Sequence, residues 1–395
     1  MDLRHLNNEF PAVWDILSRK GCKVGMFGSL HTYPLPDNVA DYSFYVPDTF
    51  AAGPECFPAK YNAFQNFNLT MAGLNGLQVN RSIAFKEAVQ FLAAAPKLGL
   101  RGKTVGKIAL QLVGERVTPD RSVRRRTSQV QIAFDFYLRA MKKHKPDISF
   151  FFTNHVASSM HRYWPSLFPD DYQKLEFDQL WIDTWSEEIP HTMRETALQL
   201  ASLINFVDNN SDHLLVVATS MGQAAVDGSE RIERVVTINS LTQLMHGIGF
   251  RPEHWRKLPA MVPQFNLSVV DDHRSMFLRR IKGLKVNGCR VEVTELGSGV
   301  IKLELCLPNQ YLNSIQFNEM DVAPASFGIC CQEMMDAAGA NAYHIPEGML
   351  MIYDPKNLNA GGRELSIIST LEITPTLLKN FEVEIPSYME NALSL

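Results

Sequence analysis

The sequence has no run of about 18 apolar residues, so no segment of it is a candidate membrane-spanning helix. Positive charge is not in excess either. Against 38 Lys and Arg stand 42 Asp and Glu, a formal net charge of -4. That balance excludes a basic field over the whole surface of the kind that gathers nucleic acid or anionic lipid. Neither nucleic acid nor a membrane is an expected partner, and any anion binding has to be local. Cysteine is scarce. Cys22, Cys56, Cys289, Cys306, Cys330 and Cys331 include no pair at C-x-x-C spacing, which removes the zinc ribbon and the disulfide framework. Reduced, mostly buried thiols are the reading that remains. The first residues, MDLRHLNNEFPAVWDIL, have no basic start leading into an apolar core of the secretory type, so a soluble, cytoplasmic protein is expected. A Gly-rich phosphate loop, a G-x-S-x-G elbow, an H-E-x-x-H helix, internal repeats and low-complexity tracts are all missing.

What is present is ordinary globular composition, 46% hydrophobic and 20% charged over 395 residues, enough for one large domain or two smaller ones. Helix and strand signals alternate. Val13, Trp14, Ile16 and Leu17 lie at helical spacing within Phe10 to Lys20, Gly21 stops that helix, and Lys23 to Phe27 reads as a short buried strand. Residues 31 to 80 are rich in Pro, Asn, Asp and aromatics without periodicity, and read as a long structured surface loop. Amphipathic helices are predicted over Ala84 to Ala95 and Gln129 to Lys143, with a basic stretch from Arg101 to Arg126 between them.

Pro146 to Phe152 is a hydrophobic strand that ends in Thr153-Asn154-His155. A helix over Thr192 to Val207, with Met193, Ala197, Leu200, Ala201 and Ile204 in register, leads to the apolar strand His213 to Ala218 and to Thr219-Ser-Met-Gly222. Continuous apolar strands alternating with helices predict an α/β fold whose mostly parallel sheet is covered by helices on both faces. Ligands then sit beyond the C-terminal ends of the strands. Residues 229 to 320 break the pattern with alternating strands joined by Asn-Gly and Gly-Ser turns, as in an antiparallel insertion or cap. The expected division is a core in two parts, 1–228 and 321–395, around that insertion. The second part carries an apolar strand over Gly348 to Tyr353 and a helix around Thr374 to Asn380.

Certain segments carry a more specific pattern. They are FPAVWDILSRKGCKVGMFGSLHTYPLP, FFFTNHVASSMHRYWPSLFPDDY, HLLVVATSMGQ, HIPEGMLMIYDP and STLEITPTLLKNFEVEIPSYM. In that order they resemble the type I phosphodiesterase/nucleotide pyrophosphatase branch of the alkaline phosphatase superfamily. The first resembles its helix, strand and Thr-Tyr-Pro turn, and the second its strand, metal-binding loop and His-x-x-Trp helix start. The third stands in place of a strand followed by Ser-Asp-His-Gly. The fourth resembles its His-x-x-x-Gly strand, and the last its Asp-Ile-x-Pro-Thr-Leu-Leu close. The similarity runs from Phe10 to Met389.

The resemblance implies hydrolysis of a phosphoester, or of a sulfoester on a similar scaffold, by a Thr or Ser nucleophile held on one of two divalent metal ions, zinc or manganese. Such a centre needs Asp and His ligands from several strand ends. His161 matches the His of an Asp-x-x-x-His pair, with Arg162-Tyr163-Trp164 following it, but the Asp position is Ala157. Ser220 and Met221 stand where the family has Asp and His, a neutral hydroxyl and a soft thioether in place of hard ligands. His344 matches a further metal-binding His. The strand with the first Asp and the nucleophile lies, in the family, upstream of the segment with which this chain begins, so no catalytic nucleophile is identified. The residual metal candidates are His161 and His344, short of a full two-metal site. The alternative, a hydrogen-bonded polar pair, is the reading to be expected of these two histidines.

The ligand-binding candidates are Asn154, His155, Arg162 and Ser220. His155 reads either as a donor to an anion at a strand end or as a capping group. The cluster from Arg121 to Arg126 reads either as a phosphate or carboxylate clamp or as a solvated basic loop. Asp271-Asp272-His273-Arg274 reads as a functional group of charges or as the capped start of a helix, and Glu187-Glu188 as the start of the Thr192 helix region. Three functions follow as expectations. The first is a phosphoester hydrolase by resemblance, weakly active or inactive as this chain. The second is a non-catalytic relative that binds a small phosphorylated or glycan ligand or a partner protein. The third is metal-free acid/base chemistry on His155, His161 and His344. A doubly wound sheet without its first strand exposes an apolar edge, so a homo-oligomer is expected too.

Overall fold

Helix α1 (Val13–Arg19) turns Val13, Ile16 and Leu17 inward. Gly21, at φ 89, lets the chain leave it in a conformation that costs other residues energy. Strand β1 (Val24–Phe27) follows and is buried at every position. The computed structural model describes residues 9–72, 85–226, 231–258, 260, 263–297, 299–356 and 367–393. Next come β2 (Phe44–Val46), α2 (Asn62–Ala72), α3 (Phe85–Leu98), α4 (Gly102–Val117), α5 (Arg125–His144) and β3 (Ile148–Phe151). Strands β2 and β3 flank β1 in a three-stranded parallel sheet of order β2-β1-β3. Alternate residues of a strand face opposite sides. Phe150 accordingly meets Trp14 of α1, with ring centroids 5.7 Å apart, while Phe151 stacks on Tyr137 of α5 at 4.8 Å.

The chain continues through α6 (His155–Leu167), α7 (Gln179–Trp185), α8 (Glu188–Asp208), β4 (Leu215–Thr219), β5 (Gly222–Ala225), β6 (Arg234–Ile238), α9 (Leu241–Gly247), β7 (Trp255–Leu258) and β8 (Gln264–Val269). It then runs through α10 (Asp271–Lys282), β9 (Leu284–Val286), β10 (Cys289–Arg290), β11 (Glu292–Gly297), β12 (Val300–Glu304), β13 (Cys306–Pro308), β14 (Ile315–Phe317) and β15 (Met320–Asp321). The last elements are α11 (Pro324–Phe327), β16 (Ile329–Glu333), β17 (Ala342–Ile345), β18 (Met349–Tyr353) and α12 (Ile373–Asn380).

From β6 to β16 every strand pairing among the described residues is antiparallel, in sheets of order β11-β12-β8-β7, β10-β9-β14-β15 and β13-β6-β16. These sheets close on one core with α9 and α10, built around Leu244, Phe277, Ile281, Leu303 and Ile329. Asn287 and Gly288, both at positive φ, form the tight turn from β9 to β10 that the Asn-Gly pair predicts.

The architecture is mixed α/β, but the sequence expectation needs correcting in several places. Parallel pairing is confined, among the described residues, to β1, β2 and β3. Strand β4 pairs antiparallel with β18, and β5 antiparallel with β17. An apolar run signals a strand without giving its direction, which is set by whichever distant segment arrives beside it. The stretch from 31 to 80 is not all surface loop, because Phe44, Tyr45 and Val46 are buried in β2. Three residues between turn-rich flanks are too few to show a period. The register predicted for the inward face of α8 also fails. Met193 is 51% exposed, and the helix packs on the core around Phe151 and Tyr137 through Leu203 and Phe206 instead. The thiols are free, but only Cys56 is fully buried, and Cys289 and Cys306 are exposed.

Candidate functional site

Strands β4 and β5 are separated by the two exposed residues Ser220 and Met221. Opposite them the chain turns between β17 and β18, and the two backbones nearly touch. A Cβ on Gly348 would lie 2.2 Å from the Thr219 carbonyl oxygen, and one on Gly222 would lie 2.5 Å from that of Glu347. Met349 N–H donates to Thr219 Oγ1 at 2.8 Å. Only glycine fits at either position. The resulting register sets His344 opposite Gln223.

Helix α6 is fastened across this ribbon. Asn341 N–H donates to the His161 carbonyl at 2.7 Å, and the Asn341 amide donates to the Arg162 carbonyl at 2.7 Å. One residue further, His161 Nδ1 is 2.6 Å from the Ala342 carbonyl oxygen. A carbonyl only accepts, so Nδ1 carries the proton and Nε2 of the neutral ring is the acceptor. Gln223 Nε2 faces that acceptor at 3.4 Å and also donates to the Ala157 carbonyl at 3.3 Å. Positions 157 and 161 lie one turn apart on the same helix face. The Gln223 amide thus bridges the residue that lacks a carboxylate and the His that keeps its imidazole.

The His344 ring stands perpendicular to that of His161, with centroids 4.8 Å apart, and Tyr343 lies 5.8 Å from His161. Burial lowers the His161 pKa, helped by His344 and Arg162 and opposed by the Ala342 carbonyl. Gln223 Oε1 is buried with no hydrogen-bond partner among the described residues.

The other candidates are not gathered here. Arg162 points into a buried network, where its Nη1 donates to both Asp336 oxygens at 3.0 and 3.1 Å. The Tyr163 hydroxyl donates to Asp336 at 2.8 Å. Burial pushes the Asp336 carboxyl up, but Arg162, Arg126 and Tyr163 outweigh it and hold the pKa below the usual carboxylate value. Asn154 is exposed at the N-cap of α6 without a side-chain cap bond. His155 is buried and six residues from His161, so it looks out from a different side of the helix. It bonds through Nδ1 to Thr153 Oγ1 at 2.6 Å and through Nε2 to Thr196 Oγ1 at 3.1 Å. Burial lowers its pKa to about 4. Ser220 is exposed beyond the end of β4.

The arginine cluster is not a clamp, and among its arginines only Arg121 is exposed to solvent. Arg124 pairs with Glu188 at 2.6 Å and Arg125 with Glu115 at 2.7 Å, while Arg126 is buried beside Tyr163 and Asp336. In the Asp271 segment, Val270 rather than an Asp is the N-cap of α10. Asp271 and Asp272 lie in its first turn, Arg274 pairs with Glu295, and the His273 ring lies 3.8 Å from that of His254.

No family model matches this chain, and no curated protein or solved structure is significantly similar to it. The site therefore has to be judged on its own donors. A two-metal centre needs several carboxylates and imidazoles converging on each ion. Here one His nitrogen is committed to a backbone carbonyl, the other faces an amide, and among the described residues no three of His, Cys, Asp and Glu gather in reach of one cation. These residues do not fit a zinc or manganese pair. Sequence reasoning missed Gln223, Tyr343 and Asp336. Gln223 follows the Thr-Ser-Met-Gly segment directly, but no local pattern ties it to His161, which is 62 positions away.

Proposed function

We propose that this protein is a phosphodiesterase/nucleotide pyrophosphatase-like relative within the alkaline phosphatase superfamily that binds a ligand without hydrolysing a phosphoester. The observation that carries this reading is the Gln223 amide on the His161 acceptor, in the place where a metal centre would need a carboxylate. The core of an alkaline-phosphatase-like sheet is supported by the parallel strands β2-β1-β3, with α1 on one face and α5 on the other.

Of the two ligand classes expected, a glycan suits the site better than a phosphate. A phosphate calls for cations, and the nearest one in sequence, Arg162, is spent on Asp336. Tyr343 is 58% exposed, a ring able to lie against the apolar face of a sugar. The imidazoles of His161 and His344 and the unpartnered Gln223 Oε1 supply donors and acceptors for hydroxyl groups.

The test has two arms. Purified protein is analysed for metal and assayed on a p-nitrophenyl phosphodiester, and neutral oligosaccharides are titrated while the histidine resonances are followed by NMR. The expected results are no hydrolysis and saturable sugar-induced shifts that Tyr343→Ala removes. Two equivalents of zinc or manganese, with hydrolysis that His161→Ala abolishes, would restore the hydrolase reading.

A further inference from the structure

Helix α4 is built inside out. Its inward arc is mostly polar: Lys107 pairs with Glu195 at 2.6 Å, Glu115 with Arg125 at 2.7 Å, Gln111 donates to the Arg121 carbonyl at 2.6 Å, and Thr104 is buried, with Ile108 beside them packed on the core around Phe136. At 100° per residue, the remaining half of the helix circumference carries Val105, Leu110, Leu112, Val113 and Val117. These are all exposed, Leu110 to 75%, Val113 to 64% and Val117 to 82%. Apolar stripes of amphipathic helices face a core. This one faces out, and an exposed patch of contiguous aliphatic side chains marks an interaction surface.

The charges beside it identify the occupant. Of the cations in the basic stretch, Arg101, Lys107, Arg124 and Arg125 are held by Asp135, Glu195, Glu188 and Glu115. Lys103 at one end of α4, and Arg116 and Arg121 at the other, are exposed and make no ion pair among the described residues. The acid nearest them in sequence that makes no ion pair among the described residues is the half-buried Asp120. A second copy of the chain docked across this face would bring cation against cation. The outward arc also offers no hydrogen-bonding side chain besides these cations, so it asks for hydrocarbon with anionic groups at its border.

We propose that the outward face of α4 docks on an anionic lipid surface, lying in the interface with its aliphatic side chains among the acyl chains and Lys103, Arg116 and Arg121 at the headgroups. This departs from the sequence expectation of no membrane partner. That expectation rested on net charge and on spanning runs, and neither registers a local face on one helix. Among the described residues no helix is long and apolar enough to cross a membrane, so the contact is peripheral.

The full chain is to be sedimented with large vesicles of phosphatidylcholine, with and without phosphatidylserine, at low and high salt. It is expected to co-sediment with the anionic vesicles at low salt and far less with neutral ones. Joint replacement Leu110→Asp and Val113→Asp should lower the bound fraction about tenfold or more. Lys103→Ala and Arg116→Ala should each lower the partition coefficient about fivefold, with circular dichroism unchanged. The charge variants keep the test decisive if the double Asp variant folds poorly. Failure to bind anionic vesicles, or binding that none of these substitutions weakens, overturns the proposal. So does a wild-type dimer that the Asp variants dissociate.

Discussion

Replacing Asp336 tests how α6, and with it His161, is held in place. The Asp336 carboxylate accepts from Arg162 at 3.0 and 3.1 Å, from the Tyr163 hydroxyl at 2.8 Å and from Ala338 N–H at 3.3 Å. Its side chain is 4% exposed and that of Arg162 9%. Asp336→Ala strands a buried guanidinium beside a second one, Arg126, so unfolding free energy should fall by about 3–5 kcal/mol. Removing both partners, as in Asp336→Ala with Arg162→Met, leaves less uncompensated charge. The double variant should therefore be closer to wild type than the sum of the single changes. Urea denaturation of the set gives these numbers.

The pH dependence has a definite sign. The folded pKa of Asp336 lies below its ordinary value, so its stabilisation is complete above about pH 3.9 and is lost as pH falls through the lower folded value. Asp336→Ala should flatten the acid limb of the stability curve. A cost under about 1 kcal/mol, or strict additivity with Arg162→Met, would show that the network does not anchor the helix and refute the reasoning.

Three further outcomes are expected. His155, with a folded pKa of about 4 against about 6.5 in the unfolded chain, binds its proton first in the unfolded state. Its neutral burial therefore costs stability as pH falls from about 6.5 to about 4, by roughly 3 kcal/mol in full. An NMR titration giving an imidazole pKa near 6.5 would contradict the burial and bonding assigned to it. Gly348→Ala, whose Cβ meets the Thr219 carbonyl, should cost about 1–3 kcal/mol and shift the His344 resonances, whereas an unperturbed spectrum would mean that the two backbones do not approach. Gln223→Ala should leave the fold intact and move the His161 ring signals, because it removes the amide that faces Nε2; unchanged signals would argue against the bridge.

Much of the local structure was legible in the chain. Phe10 to Lys20, Gln129 to Lys143 and Thr374 to Asn380 each contain or overlap a helix, and Asn287-Gly288 makes its hairpin. The antiparallel character of 229 to 320 follows from alternation along strands such as Gln264–Val269, whose side chains point in and out by turns. The site was half legible. His161 and His344 do meet, but Asn154, His155 and Arg162 face elsewhere, although Arg162 is the very next residue. A helix turns each successive side chain by about 100°, so neighbours in sequence part company in space.

The sequence by itself determined where several of the helices and strands lie, and that Ala157 and Met221 supply no hard metal ligand and Ser220 only a neutral hydroxyl in place of a carboxylate. Only the tertiary structure decided that β4 and β18 run antiparallel, that Gln223 meets His161, that Arg124 and Arg125 are spent on internal carboxylates, and that α4 turns its aliphatic side outward. Periodicity records that a helix or strand has two unlike faces. Which face is covered depends on partners tens to hundreds of residues away, whose approach no local pattern encodes.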